Sequence, residues 1–282
     1  NVFSDYRQML DRDDIDAVIV STSNDAHHPV TMATLQAGKH AFVEKPITKT
    51  FQEAKELTEE ANRHKLTLMV GMNNRFRPDT MILKSFVEKG ELGKLFYAKG
   101  GWLKSLSETN PWMTRKDKSG GGVVLDLGIV MLDLILWMMG FPPVTRVSAT
   151  MYGHKTKSVE DTCVATVKMK PDSVLTLEVS WSLLSAQDYF YCNLFGTEGS
   201  ALINPLRIHK QLHGSLVNLT PASSDSPNGL YRKSYENELR HFIGALRGLH
   251  PVVSTGEEAM ERMKVVEAIY RSSQKGKEVQ LG

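Results

Sequence analysis

Apolar and polar positions along this chain change their period twice. Over the first third, short apolar runs alternate with stretches of helical spacing. Ile15 to Val20 (IDAVIV), Ala41 to Val43 (AFV) and Leu66 to Gly71 (LTLMVG) have the near-continuous apolar character of strands buried on both faces. Ser4 to Leu10, His28 to Ala37 and Phe51 to Arg63 read as helices. The last opens at Thr50 with Glu53 three residues on, the pattern of a capping box. Repeated β-α-β units of this kind predict a parallel, doubly wound sheet.

The middle of the chain breaks that rhythm. Pro78 to Lys89 is a predicted helix stopped by Gly90, and KLFYAKGGW (94–102) is a strand. Val123 to Phe141 (VVLDLGIVMLDLILWMMGF) is a long apolar helix. It carries Asp126 and Asp133, each costing about 2.5–3.5 kcal/mol at a bilayer centre, so it is read as a buried helix rather than a membrane span. From Thr145 the period becomes two. TRVSATMYG, TCVATVKMK, SVLTLEVSW and YFYCNLFGTEGSALI are strands, and Leu175, Leu177, Val179 and Trp181 share one face, as an antiparallel sheet with one covered face requires. Two amphipathic helices close the chain. Leu239, Phe242, Ile243 and Leu246 form the stripe of the first, and Thr255 with Glu258 is a predicted capping box for the second. Residues 220–229 (TPASSDSPNG) look like a linker.

The predicted fold class is therefore α/β, a Rossmann-like parallel sheet followed by an α+β unit with a mainly antiparallel open sheet. The expected boundary lies between residues 77 and 78, with the C-terminal helices free to pack back on the first unit. Hydrophobic content of 41% and charged content of 23% fit a soluble globular protein. A net charge of +2 without a basic run gives no footprint for nucleic acid or an anionic membrane, so neither is an expected partner. Two cysteines and no signal peptide point to a cytoplasmic protein without a disulfide framework.

Three clusters carry candidate chemistry. Glu44-Lys45-Pro46 follows the Ala41–Val43 strand, on the rim where open α/β sheets bind ligands. Pro46 keeps Lys45 out of the α region and so aims its ammonium, although position alone also suits a solvated loop lysine. The segment STSNDAHH (21–28) ends the Ile15–Val20 strand on the same rim, offering Thr22, Asn24 and His27, or simply a helix cap. In SGGGVVLDLGIVMLD (119–133), Asp126, Val130 and Asp133 share a helix face. A carboxylate in such an apolar helix needs a partner, and Lys45 would serve. On physics alone, structural ion pairing and catalysis suit Asp126 equally.

In this order and spacing, STSNDAHH, AGKHAFVEKPIT, VGMNNRFRP, KGELGKLFY, GGGVVLDLGIVMLDL, FGTEGS and the tail from Val252 to Val279 closely resemble the glucose–fructose oxidoreductase/inositol dehydrogenase (Gfo/Idh/MocA) family, over nearly the whole chain. The resemblance implies an enzyme, an oxidoreductase that uses NAD or NADP on a sugar or cyclitol hydroxyl. It places Lys45 and Asp126 in catalysis. It assigns Thr22, Asn24, His27, Glu44, Lys45, Pro46 and Arg75 to the cofactor side, with Phe76 beside Arg75, and implies a homo-oligomer formed through the antiparallel sheet. Ser23 stands in place of a proline of the family motif, and two larger departures stand out. Val130 occupies the position where the family usually has a histidine or tyrosine acid/base. The family pattern also opens with a strand, a Gly-x-Gly-x-x-Gly turn and a helix. No such fingerprint occurs here, and Gly120-Gly121-Gly122 lacks its context. Roughly 50 or 60 residues of that pattern lie ahead of Asn1, leaving an incomplete Rossmann-like sheet with Ile15–Val20 near an open edge. Cofactor binding beyond the millimolar range is the corresponding expectation.

Those departures keep two other readings open, a non-catalytic regulatory relative that binds a nucleotide or sugar, and an NAD-assisted glycosidase. Trp102, Trp112, Arg115 and Lys116 read either as a substrate-side lid or as an ordinary loop. His154, His209, His213 and His241 have no metal-ligand spacing, and neither cysteine has a neighbour that marks a reactive thiol.

Overall fold

A computed structural model describes residues 1–105, 111–222 and 225–281. Its first part holds α1 (Tyr6–Leu10), β1 (Ala17–Val20), α2 (Asn24–Gln36), β2 (His40–Val43), α3 (Phe51–His64) and β3 (Leu68–Val70). The three strands form a parallel sheet in the order β1-β2-β3, with α2 and α3 as crossovers. Val43 and Val70 are fully buried. Among the described residues β1 pairs with β2 alone, and its Ile19 is 53% exposed. One of the two helix starts differs from the pattern. Helix α2 begins at Asn24 behind Ser23, a full turn before His28, and carries Pro29 inside it. Helix α3 has the expected reciprocal box, with Thr50 Oγ1 accepting from the Glu53 amide and Glu53 accepting from the Thr50 amide.

The second part begins with α4 (Pro78–Glu88), β4 (Leu95–Leu103) and the short α5 (Lys116–Ser119). A π-helical turn (Val124–Gly128) leads into α6 (Ile129–Met138). Next come β5 (Val144–Tyr152), β6 (Thr162–Met169), β7 (Ser173–Ser180), β8 (Tyr189–Gly196), β9 (Gly199–Ile203), β10 (Arg207–Leu212) and β11 (Ser215–Asn218). Helices α7 (Pro227–Leu246) and α8 (Gly256–Lys275) and the short β12 (Val279–Gln280) complete the chain. The nine strands β4 to β12 form one sheet, in the order β11-β10-β9-β8-β4-β7-β6-β5-β12. Every pairing in it is antiparallel except β4 with β7. Leu175, Leu177, Val179 and Trp181 are all buried against α6 and the π turn, as the period-two pattern requires.

Three features were not in the pattern. The β10–β11 hairpin is mostly polar and gives no alternation to read. The linker-like stretch ends early, because α7 starts at Pro227 with Ser226 as its cap; residues 223 and 224 of that stretch lie outside the described residues. Thr255 caps α8 by accepting from the Glu258 amide, but the Glu258 carboxylate turns to Arg75 instead of closing a box.

The apolar segment Lys116–Met138 is long enough to cross a membrane, yet 89% of its most apolar window is buried inside the protein. It is a core helix. Helix α8 lies against α3, with Glu267 accepting from the Phe51 amide and Glu257 from Asn62 Nδ2. Helix α7 places Glu238 on the Met72 amide at 2.6 Å.

Candidate active site

Two loops at the carboxyl ends of β1 and β2 build one wall of the site. His27 (1% exposed) ties them together, its Nδ1 2.6 Å from the Pro46 carbonyl and its Nε2 3.0 Å from the Thr22 carbonyl. The imidazole thus sets the spacing of the two rim loops. Asn24 donates to the Ser119 carbonyl at 2.9 Å, joining this wall to α5. The Lys45–Pro46 peptide is cis, and Glu44 Oε2 accepts from the Lys45 amide at 3.2 Å.

The facing wall is the π turn. Glu160 Oε1 accepts from the Gly122 amide at 2.9 Å, the Val124 amide at 3.0 Å and the Tyr270 hydroxyl at 2.8 Å. Burial pushes the Glu160 carboxyl up, against these donors. A Cβ at Gly122 would stand 1.8 Å from the Glu160 carbonyl oxygen, and one at Gly121 would stand 2.1 Å from the Tyr270 hydroxyl. The glycines therefore permit close backbone approach here.

Asp126 projects from this turn onto Lys45. Lys45 Nζ donates to Asp126 Oδ1 at 2.5 Å and to the Asp126 carbonyl at 3.3 Å. Trp181 Nε1 donates to Asp126 Oδ2 at 3.1 Å. Burial alone would raise the Asp126 carboxyl. The charge and hydrogen bond of Lys45, the charge of Lys104 and the Trp181 N–H outweigh it, and the pKa is lowered. The carboxylate is thus ionised and hydrogen-bonded through both oxygens, and it holds the Lys45 ammonium in one place.

Cavities open on both sides of this pair. One of about 360 Å³ is lined by Thr22, Asn24, His27, Glu44, Lys45, Pro46, Trp112 and Asp126, among others. A second of about 510 Å³ shares Lys45, Lys104 and Asp126 and is walled by Val130, Arg77, Phe190 and Tyr235. Both volumes lie in the range of small-molecule sites. Of the expected cofactor-side residues, six (Thr22, Asn24, His27, Glu44, Lys45 and Pro46) meet in the first cavity.

Arg75 does not join them. Its fully enclosed guanidinium donates to Asp133 at 2.8 and 2.5 Å and to Glu258 at 2.6 Å, and stacks between Trp137 and Phe141. The expectation that Arg75 lines the cofactor cleft thus meets a buried ion cluster instead. Asp133 also leaves the shared face expected for it, accepting from Arg262 at 2.7 Å. The π turn between Asp126 and α6 shifts the helical phase, so the two aspartates face different surroundings.

Several residues of the site carried no motif. Lys104 follows β4, Tyr231 and Tyr235 lie on α7, and Trp181 had been counted only as a covered-face residue. Trp112 lines the first cavity and Trp102 the second, whereas Arg115 pairs with the exposed Asp117 and Lys116 lines a separate groove. No cluster able to hold a metal ion occurs among the described residues. Burial pushes Cys163 and Cys192 up to about 12, so both thiols are inert. His241 accepts from the Val253 amide and stacks on His250, a structural arrangement.

Comparison with known proteins fits this architecture. Residues 1–72 match the family model for the oxidoreductase-family NAD-binding Rossmann fold, and residues 84–281 match its C-terminal alpha/beta domain. The chain belongs to the Gfo/Idh/MocA family of NAD-binding oxidoreductases. Among its relatives is D-glucoside 3-dehydrogenase of Escherichia coli, 28% identical over 100% of this chain and 84% of that protein. Another is scyllo-inositol 2-dehydrogenase (NAD(+)) of Bacillus subtilis, 27% identical over 98% of this chain and 81% of that one. A solved levoglucosan dehydrogenase in complex with NADH and levoglucosan shares the fold, with a TM-score of 0.89, 22% identity and coverage of 99% of this chain and 83% of that chain. These relatives are dehydrogenases, which favours neither the regulatory nor the glycosidase reading.

Proposed function

We propose that the chain is an NAD-dependent dehydrogenase of a sugar or cyclitol hydroxyl, acting at the Lys45–Asp126 pair. The observation that carries this reading is an ammonium fixed by an ionised carboxylate between two cavities, one on the rim of the parallel sheet. Thr22, Asn24, His27, Glu44, Lys45 and Pro46 would hold the nicotinamide side in the first cavity, and the polyol would enter the second. Bound NAD supplies the acceptor for the carbon-bound hydrogen and its electron pair. Lys45 would hydrogen-bond the reacting oxygen and, reacting as the neutral amine, accept the hydroxyl proton and so become the ammonium, while Asp126 keeps its Nζ in place. The apolar surroundings of the π turn keep bulk water from the Asp126 side of the pair. NAD is favoured over NADP by the NAD(+) dependence that the name of the inositol dehydrogenase relative states.

Further parts of the reading are a boundary between residues 77 and 78, a cytoplasmic location, and self-association through the outer face of the nine-stranded sheet. Val164 and Phe96 are exposed there, at 53% and 47%. The test is growth of reduced-nicotinamide absorbance when the protein meets NAD and a panel of sugars and inositols. Reduction of NAD with at least one polyol is expected; no reduction with any of them would overturn the reading.

A further inference from the structure

The second cavity holds a cation that the pair chemistry leaves over. Strands β4 and β7 run parallel, with Leu103 opposite Ser180, so the residues that follow them, Lys104 and Trp181, emerge side by side at the same sheet end. Trp181 is used on Asp126. Lys104 is not. Its amide donates to the Ser180 carbonyl at 2.9 Å, and its ammonium lies 5.5 Å from the Trp102 ring centroid. Among the described residues it makes no ion pair. Asp126 already accepts from Lys45 through one oxygen and from Trp181 through the other, and Lys104 acts on it through its charge alone, without an ion pair. Arg77, on the same wall, is neutralised by Asp79 at 2.7 Å, and Asp188 stands exposed. Lys104 lines both cavities where they meet and has no ion-pair partner among the described residues, while Glu44 lines the first cavity and Asp188 the second. A half-buried cation of this kind favours a ligand that brings its own negative charge.

We propose that Lys104 is a specificity-determining residue that receives a carboxylate on the substrate, so that the preferred substrate is a sugar acid rather than its neutral parent. This deepens the dehydrogenase reading and rests on it for the place where the polyol enters. The Trp102 ring keeps the lysine stem against the cavity wall, and the ammonium then makes a charge-assisted hydrogen bond to the acid group while Lys45 meets the hydroxyl.

The test compares methyl β-D-glucopyranoside with methyl β-D-glucopyranosiduronate, which differ only in oxidation at one carbon. Binding is read from tryptophan fluorescence in the presence of NAD, and turnover from reduced-nicotinamide absorbance. The wild-type protein is expected to favour the uronide by roughly 10- to 100-fold, the worth of one hydrogen bond to a charged group. That preference should shrink as salt is raised. Lys104→Gln should cut the uronide-to-glucoside affinity ratio by the same factor. Equal affinities in the wild type, or an unchanged ratio in Lys104→Gln, would overturn the inference. So would a substitution that weakens NAD binding alone, since the lysine would then serve the cofactor. Selective uronide binding without NAD reduction would keep the assignment of Lys104 and sink the dehydrogenase reading, so the two fail separately.

Discussion

Asp126 and Asp133 lie seven residues apart on one apolar segment, and each holds a basic side chain, yet the two regions differ in kind. Asp133 sits with Arg75, Arg262 and Glu258, and the side chains of Asp133, Arg75 and Arg262 are at most 2% exposed. Asp126 and Lys45 retain 15% and 29% side-chain exposure, at the meeting point of two cavities. The buried cluster joins the segment after β3, α6 and α8, and its charges pair with one another, although Arg262 Nε and Nη2 have no hydrogen-bond partner among the described residues. In the open pair both carboxylate oxygens accept a hydrogen bond while the ammonium still faces space. A charged pair near an apolar core thus reads as structural when both partners are enclosed, and as a working group when one is held by the other and left accessible.

Substitution of each carboxylate or its partner should separate the two. Lys45→Met is expected to lower kcat by roughly 10²–10⁴-fold, the span of general acid–base loss, with a folded structure retained by circular dichroism. Unchanged turnover on the true substrate would return Lys45 to a solvated loop lysine. Asp133→Ala leaves Arg75 and Arg262 without their shared partner, and should cost about 3–5 kcal/mol in a denaturant titration. A loss under about 1 kcal/mol would remove the structural role argued for the cluster.

A smaller effect is expected at Glu238, beside the open pair's own loop. Its burial, and then the charge of Glu44, raise its carboxyl from an ordinary 4.5 to about 8. The folded protein thus holds a proton that the unfolded chain releases. This stabilising contribution is complete below about pH 4.5 and is lost as pH rises through about 8. Glu238→Gln retains an acceptor for the Met72 amide without the charge. Its melting temperature should gain on the wild type between pH 5 and pH 9, and parallel curves would contradict the assignment.

The smallest change is expected from Val130→His, which puts an imidazole on the second cavity wall near Asp126. If proton transfer limits the wild type, kcat should rise, by less than roughly the hundredfold of a full acid–base group. A fully active wild type and an inactive variant would show that position 130 belongs to the apolar wall.

By itself the sequence determined the period of its elements and hence the fold class. The near-continuous runs at Val18–Val20 and Ala41–Val43 suit strands of a parallel sheet, although Ile19 is 53% exposed on β1, and the alternation from Leu175 to Trp181 suits a sheet covered on one face. The rim residues around Glu44-Lys45-Pro46 were legible too, because they sit at strand ends in a recurring order. Three things were left to the tertiary structure. Asp126 and Lys45 are 81 residues apart, and no local pattern shows that they touch. The π turn changes which face each later side chain takes, so helical spacing misplaced Asp133, and Arg75 found that carboxylate rather than the cleft. Lys104 had no motif at all, and its place follows from the parallel pairing of β4 with β7, a contact across more than 70 residues of chain. Local periodicity depends on neighbours in sequence and can be read from it. A site depends on side chains that meet only when distant segments pack, and packing is where that information first exists.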